Sequence, residues 1–346
     1  METQYNVAVV GATGAVGEAM LSILEQRDFP VAQIFPLASA RSAGKTVRFK
    51  NDDVDVLNLE DFDFSKVDFG LFSAGASVSK IYAPKAAAAG CLVIDNTSQF
   101  RNDDDIPLVV PEVNPDAIAY HAGIIANPNC STIQLVVALK PIYDAVGIER
   151  INICTYQAVS GAGRDAMNEL TEQTGAVLQN ETVTAKEMPA QIAFNAIPHI
   201  DVFQDNGYTK EEMKIVWETR KILQDESIQV NPTAVRIPVY YGHSEAVHIE
   251  TKQPIEAKTA RDLLSKAPGI EVIDNIDELN YPTAAVDAAH HDAIYVGRIR
   301  NDISHPCGLN LWVVSDNLRK GAALNSVQIA ETIIHNPIAL DRVANA

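Results

Sequence analysis

The sequence predicts an α/β fold, with an N-terminal Rossmann-like doubly wound parallel sheet joined to a second α+β domain that has a mixed sheet. Three observations carry that expectation. An apolar run at Tyr5–Val10 stops at Gly11 and is followed by apolar residues at helical spacing; strand-like and helix-like runs then alternate to about residue 127; beyond it, long β-rich runs dominate. A chain of 346 residues has room for two such domains, each able to bury a core without disulfide or metal staples.

Taken in order, Tyr5–Val10 reads as the first strand, and Val16, Ala19, Met20, Ile23 and Leu24 mark one face of the first helix. Further strands are expected at 33–38, 68–73 and 91–94, with a helix at 77–89 in which Pro84 calls for a kink or a late start. Such alternation implies parallel pairing through right-handed crossovers. Past it, helices are expected at 131–146, 164–178, 209–224 and 259–266, the third opened by the capping-box spacing of Thr209 and Glu212. Strands are expected at 150–159, 233–239, 245–250, 293–300 and 309–315. The expected domains are therefore 1–127, a dinucleotide-binding unit; 128–316, a catalytic unit; and 317–346, a C-terminal helix returning to cover the first unit.

Charge narrows the partners. With 27 Lys and Arg against 45 Asp and Glu, the net charge is −18, so nucleic acid and anionic membrane surfaces are repelled. A small anionic ligand must then be held by a few placed cations or by backbone N–H groups. Cys91, Cys130, Cys154 and Cys307 form no Cys-x-x-Cys pair, which fits neither a disulfide framework nor a zinc site; no metal is expected, and a reducing cytoplasm is the natural compartment. No basic leader opens the chain, and its uncharged runs fall short of a bilayer span.

Gly11-Ala12-Thr13-Gly14-Ala15-Val16-Gly17 sits between strand and helix, where small residues let backbone N–H groups approach a pyrophosphate. The second strand then runs into Ser39-Ala40-Arg41-Ser42 with no carboxylate for a ribose 2′-hydroxyl, and Arg41 can pair with a 2′-phosphate, so NADP is favoured over NAD. Cys130 follows Asn127-Pro128-Asn129 and heads a helical stretch, a position whose dipole favours the nucleophilic thiolate; nearby N–H groups and Asn129 can stabilise an oxyanion. An inert buried thiol is the commoner fate of a cysteine, and Cys91 and Cys154 suit it better. A thiol nucleophile calls for a base, for which His243, after Gly242, stands beside His248, His290 and His291 as candidates. Gln157-Ala158-Val159-Ser160-Gly161 closes a strand with a second glycine turn and is ambiguous alone. Arg101, Lys214 and Arg236 are cations near these runs; Glu211 and Lys214 at i,i+3 share a helix face, where a surface salt bridge is the usual outcome.

Together, Val9 through Gly17, Ser39 through Ser42, Pro128 through Thr132, Gln157 through Gly163, Arg236-Ile237-Pro238 with His243-Ser244, and Trp312 through Asn317 onward to Gln328 closely resemble the bacterial aspartate-β-semialdehyde dehydrogenases. The resemblance runs along nearly the whole chain. It implies NADP-dependent, reversible reductive dephosphorylation of L-aspartyl-4-phosphate to L-aspartate-4-semialdehyde, on the path to lysine, threonine and methionine, by a homodimer packed through its second domain. It also implies roles: Cys130 as acyl-thioester nucleophile, His243 as general acid/base, Gln157 in substrate and thioester positioning, Arg236 on the α-carboxylate, and Glu211 (or its neighbour Glu212) on the α-amino group. Arg101, Asn129 and Lys214 fall to the departing phosphate. Gly11, Thr13, Gly14, Ala15, Val16, Gly17, Ser39, Arg41, Ser42, Ser160, Gly161, Asn317 and Gln328 fall to the cofactor. Residues 185–192 depart from the pattern and are expected as a loop. The alternatives are N-acetyl-γ-glutamyl-phosphate reductase, which must house an acylated amine, and a non-enzymatic NADP-sensing regulator, which needs neither nucleophile nor anion clamp.

Overall fold

The structure, a computed structural model, describes residues 3–336 and divides into two compact units, Met1–Asn129 with Ala322–Ala346, and Cys130–Gly321. In the first unit β1 (Tyr5–Val10) leads through Gly11 into α1 (Ala15–Gln26) and on to β2 (Val31–Ala38). A hairpin of β3 (Thr46–Phe49) and β4 (Asp52–Asp55) follows, its turn made by Lys50 at φ +54°, and then β5 (Leu57–Asn58). Each hairpin strand is only four residues long; β3 alternates, with Val47 and Phe49 turned to the core, but β4 offers Val54 alone among aspartates, too little pattern to announce a hairpin. Next come β6 (Phe69–Phe72), α2 (Ala76–Ala88), β7 (Leu92–Asp95) and β8 (Ile124–Ala126). Pro84 lies inside α2 without ending it.

The sheet runs β5-β2-β1-β6-β7-β8 with every pair parallel. Strands β6 and β7 are buried throughout, which is why Phe69–Phe72 and Leu92–Asp95 read as continuous apolar runs rather than alternating ones. Met20, Leu21, Ile23 and Leu24 of α1 close one side of this core.

The second unit starts with α3 (Cys130–Val146), β9 (Ile148–Gln157), α4 (Arg164–Leu178) and α5 (Lys210–Leu223). Then follow β10 (Gln229–Arg236), β11 (His243–Thr251), α6 (Ala257–Leu264), β12 (Ile270–Val272), β13 (Ile294–Asn301) and β14 (Gly308–Ser315). The order is β10-β9-β11-β14-β13-β12, with β9/β10 and β12/β13 parallel and the other pairs antiparallel. Strand β10 begins four residues before the expected 233 and stops at Arg236, short of 239; it tolerates Pro232 because it lies at the edge. Thr209 caps α5 with the reciprocal bonds of a capping box. Helices α3, α5 and α6 cover one face of the sheet. Residues 185–192 form no helix or strand, yet they are held: Glu169 accepts the N–H groups of Lys186, Glu187 and Met188, and Gln173 those of Ile192 and Ala193.

After β14 a π-helical turn at Arg319–Ala323 precedes α7 (Leu324–Ile334). Leu324, Val327, Ile329, Ala330 and Ile333 join the core of the first unit, and Glu331 pairs with Arg27 of α1. Residues 337–346 of the expected C-terminal helix lie outside the described residues.

Candidate active site

In the first unit the ligand-facing features gather at the carboxyl ends of two neighbouring strands. Strand β1 pairs with β2 as far as Val10 opposite Leu37, and the N–H groups of Gly11 and Ala12 both donate to the Leu37 carbonyl, at 2.8 and 3.2 Å. The glycine turn and the Ser39–Ser42 loop are thereby tied side by side. Gly11 has φ +92°, and a Cβ on Gly17 would lie 2.2 Å from the Gly11 carbonyl oxygen, so neither position accepts another residue without moving backbone. Gly14 caps α1 with no side chain to satisfy the first-turn N–H groups. A small-residue notch at the positive end of a helix suits a pyrophosphate. Beside it Ser42 is buried, its N–H on the Ser39 carbonyl, while Arg41 extends into solvent. The residues present therefore fit a dinucleotide with a 2′-phosphate.

Three other expected residues belong to this unit. Arg101 is buried and donates from Nη2 to the Asn96 carbonyl at 2.8 Å. Asn129 is buried as well, and Gln328 on α7 donates to Glu112 at 3.1 Å.

In the second unit the register of the sheet assembles a row of strand ends. Parallel pairing sets Gln157, the last residue of β9, beside Arg236, the last of β10; antiparallel pairing sets His243, the first of β11, opposite Ser315 and one step beyond the Ser244–Tyr156 pair. Three residues distant in sequence thus share one edge. Cys130 is the first residue of α3, and a Cβ on Gly321 would come within 2.8 Å of the Cys130 Cβ, so the absence of a side chain at 321 makes room for the start of this helix. Gln157 joins this helix to α5: its Nε2 donates to Ser131 Oγ at 2.9 Å and to Glu211 Oε1 at 3.2 Å, with Thr155 Oγ1 at 3.4 Å.

Glu211 and Lys214 do pair, at 2.9 Å, but not on the surface: their side chains are 7% and 15% exposed, and Lys214 also reaches Asp201 at 2.8 Å. Burial alone pulls the Lys214 ammonium down, but the two carboxylates outweigh it and its pKa sits above the usual lysine range. Glu212 is engaged in the cap and in accepting the Ala234 N–H, which leaves Glu211 as the carboxylate on this chain of contacts. Arg236 is buried, and its Nη1 donates to the Ala158 carbonyl at 2.8 Å; burial lowers its pKa, opposed by the charges of Glu211 and Cys130.

His243 is fully buried. Its Nδ1 accepts the Ala158 N–H at 3.0 Å, and burial, then the nearby Arg236 charge, push its pKa down to about 3. Among the described residues its Nε2 has no hydrogen-bond partner. Ser160 and Asn317 bond to each other, and Asn317 accepts the N–H of Gly242 at 3.0 Å, so the loop before His243 is tied to the turn after β9.

Cys130, Gln157, Glu211, Lys214, Arg236 and His243 thus gather in the second unit, with Ser160, Gly161 and Asn317 at their margin. Buried Cys91 has its pKa raised to about 12 by desolvation and is chemically inert. Sequence reasoning missed Ala158, whose two backbone groups hold His243 and Arg236, as well as Ser131, Thr155, Asp201 and Gly321. A backbone clamp has no side-chain signature, and Ser131, lying between Cys130 and Thr132 at a polar helix start, does not stand out in the sequence.

Comparison with known proteins agrees along the chain. Residues 6–121 match the family model "Semialdehyde dehydrogenase, NAD binding domain" and residues 139–320 match "Semialdehyde dehydrogenase, dimerisation domain". The chain is 64% identical to an aspartate-semialdehyde dehydrogenase of Legionella pneumophila over 335 residues, 96% of each chain. It is 61% identical to that of Shewanella violacea over 338 residues, 97% of this chain and 99% of the relative. Among solved structures, aspartate semialdehyde dehydrogenase II of Vibrio cholerae, complexed with ASA, superposes with a TM-score of 0.95 at 59% identity, covering 97% of this chain and 99% of that one.

Proposed function

The chain belongs to the aspartate-semialdehyde dehydrogenase family, and from that premise we propose how its residues divide the reaction. The protein is an oxidoreductase that interconverts L-aspartyl-4-phosphate and L-aspartate-4-semialdehyde plus phosphate, with NADP as cofactor, in amino-acid biosynthesis. Neither the acetylglutamyl-phosphate reductase nor the sensing regulator finds support among its relatives.

Cys130 is the nucleophile. The N-terminus of α3 and the Arg236 charge favour its thiolate, and attack on an acyl phosphate expels a good leaving group to give a thioester. The bound cofactor supplies the hydride that reduces that thioester. Arg236 offers a planar fork to the substrate α-carboxylate, and Glu211 a buried carboxylate to its ammonium, a pairing that disfavours an acylated amine. Lys214, Arg101 and Asn129 receive the phosphate. Gly11 through Gly17, Ser39, Arg41, Ser42, Ser160, Gly161, Asn317 and Gln328 receive the cofactor. The observation that carries this division is the bridge at Gln157, which links the helix of the nucleophile to the Glu211–Lys214 pair.

The active form is a homodimer through the open face of the mixed sheet. There Tyr156, Ala246, His248 and Trp312 remain only half-buried, beside an apolar groove lined by Val239, Leu311 and Trp312, and the matching family model is named for dimerisation. Light scattering on the purified protein checks it. No described helix is long and apolar enough to cross a membrane, and with no disulfide among its four cysteines, all of them described, the cytoplasm is the compartment that suits the chain. The activity is tested by following NADPH formation from aspartate semialdehyde: the rate depends on phosphate or arsenate and falls sharply with NAD, whereas a phosphate-independent rate refutes the reading.

A further inference from the structure

We propose that Asp201 is a positioning residue of the substrate clamp: it takes up the Lys214 charge so that Glu211 keeps its own for the substrate ammonium, and it thereby sets the balance between ammonium and phosphate affinity. The inference deepens the division of roles proposed above and rests on Glu211 meeting the ammonium and Lys214 the phosphate.

Two backbone anchors deliver Asp201. Upstream, Ile197 donates to the Arg236 carbonyl at 2.9 Å and Arg236 to the Ile197 carbonyl at 2.8 Å, which ties the incoming segment to the end of β10. Downstream, the Val202 carbonyl accepts the N–H of Lys210, the first residue of α5, at 2.8 Å. Asp201 therefore sits between a tie to the residue of the carboxylate clamp and a tie to the helix of Glu211 and Lys214. Its φ is +68°, a left-handed conformation that aspartate tolerates because its side chain can bond locally. One oxygen does this: Oδ1 accepts the Val202 N–H at 2.8 Å. The other, Oδ2, accepts from Lys214 Nζ at 2.8 Å.

Lys214 thus lies between two carboxylates, with Glu211 Oε2 on its other side at 2.9 Å. An ammonium held by Glu211 alone would cancel that carboxylate. Shared between two, it leaves Asp201, Glu211 and Lys214 with one negative charge in excess, close to where the substrate ammonium is to bind. The two carboxylates keep Lys214 charged against its burial, and the lysine holds Asp201 below the usual carboxylate range although partial burial pushes it up. Substrate completes the pairing: its α-carboxylate falls to Arg236 and its ammonium to Glu211, while Lys214 keeps Asp201. A phosphate approaching Lys214 meets Asp201 as a like charge, which weakens its hold. The same carboxylate therefore acts with opposite sign on the two substrates.

Initial rates of NADPH formation by the intact enzyme test this, with KM read separately for L-aspartate-4-semialdehyde and for inorganic phosphate. Asp201→Asn keeps the local acceptor and the left-handed backbone but removes the charge. Asp201→Gly keeps that backbone at no steric cost and removes the whole side chain, so it carries the test if the first variant does not fold. In each, KM for the semialdehyde is expected to rise about 5- to 10-fold and KM for phosphate to fall about 2- to 5-fold. In a Glu211→Gln background the rise caused by Asp201→Asn is expected to vanish, since the carboxylate it acts through is gone. A loosened loop would weaken both substrates alike, so two KM values that rise together, a phosphate KM that does not fall, or a semialdehyde KM that does not rise overturns the proposal. Failure of the underlying reading has a different signature: with Asp201 intact, Lys214→Ala would leave the phosphate KM unchanged, or Glu211→Gln the semialdehyde KM.

Discussion

In the unit that carries the glycine turn, the groups facing a ligand are mainly backbone N–H donors, shaped by Gly11, Gly14 and Gly17, with Arg41 as an exposed charge beside them. In the unit that begins at Cys130 they are side chains, most of them buried and already bonded: Gln157 to the side chains of Ser131 and Glu211, Glu211 to Lys214, and Arg236 to the backbone carbonyl of Ala158. The difference follows from the task. A pyrophosphate presents the same oxygens in every reaction and is met by a repeated backbone geometry, whereas an acyl carbon, an ammonium and a carboxylate each need a distinct partner at a fixed place. Pre-bonded side chains lose little freedom when substrate arrives, at the cost of burying charges that must stay paired.

The largest effect that sharpens this contrast is at the nucleophile. Cys130→Ala is expected to lower turnover by about 10⁴-fold or more while leaving NADPH affinity unchanged, because the thiol is not among the groups assigned to the cofactor. Equal loss of both, read by fluorescence titration of NADPH and by rate, would break the division. On the cofactor side, Arg41→Ala is expected to weaken NADPH by about 10- to 100-fold, the equivalent of one charge-assisted contact, with NADH little changed. Equal losses for the two nucleotides would remove Arg41 from the 2′-phosphate.

The same contrast decides what was legible beforehand. The glycine turn is local: a strand, three spaced glycines and a helix lie within Tyr5–Gln26, so residue order alone exposes it. The catalytic row is not local. Gln157, Arg236 and His243 meet only because β9, β10 and β11 pair in one register, and the Ala158 clamp uses no side chain. Spacing on its own left His243 one of several histidines and Lys214 a member of an ordinary surface pair; the fold turned that pair inward. The hairpin at 46–55 escaped for a simpler reason, since four-residue strands with only Val47, Phe49 and Val54 turned inward are too short for their period to stand out.

Beneath the row lies a group with no counterpart in the parallel sheet's turn. Glu245 of β11 is fully buried, and desolvation raises its pKa well above the ordinary value of 4.5, only partly countered by Gln134. Above the unfolded value the denatured chain ionises this carboxyl while the native chain keeps it protonated, so the native state binds more protons. Stability from this group is full below about pH 4.5 and is lost as pH rises toward the folded value. Glu245→Gln should flatten that decline in urea denaturation series between about pH 5 and 8 without altering cofactor affinity. An unchanged slope would mean that the carboxyl is ionised in place.

The smallest effect tests how far the side-chain unit depends on its scaffold. Thr209 Oγ1 accepts the Glu212 N–H at 3.3 Å, Glu212 accepts the Thr209 N–H at 2.7 Å, and its other oxygen accepts the Ala234 N–H at 3.0 Å, two residues before Arg236. This cap thus fixes the start of α5, and with it Glu211 and Lys214, against the strand that ends in Arg236. Thr209→Ala is expected to cost about 1 kcal/mol, while Thr209→Ser, which keeps the acceptor, costs a small part of that. The melting temperature should fall by about 2 °C with the alanine. The KM for aspartate semialdehyde should rise a few-fold with kcat held, because the substrate clamps shift while the nucleophile, on α3, does not. A fall in kcat at constant KM would show instead that α5 positions the reacting carbon itself, and the side-chain unit would then have to be treated as one coupled body rather than as a nucleophile with a separately anchored clamp.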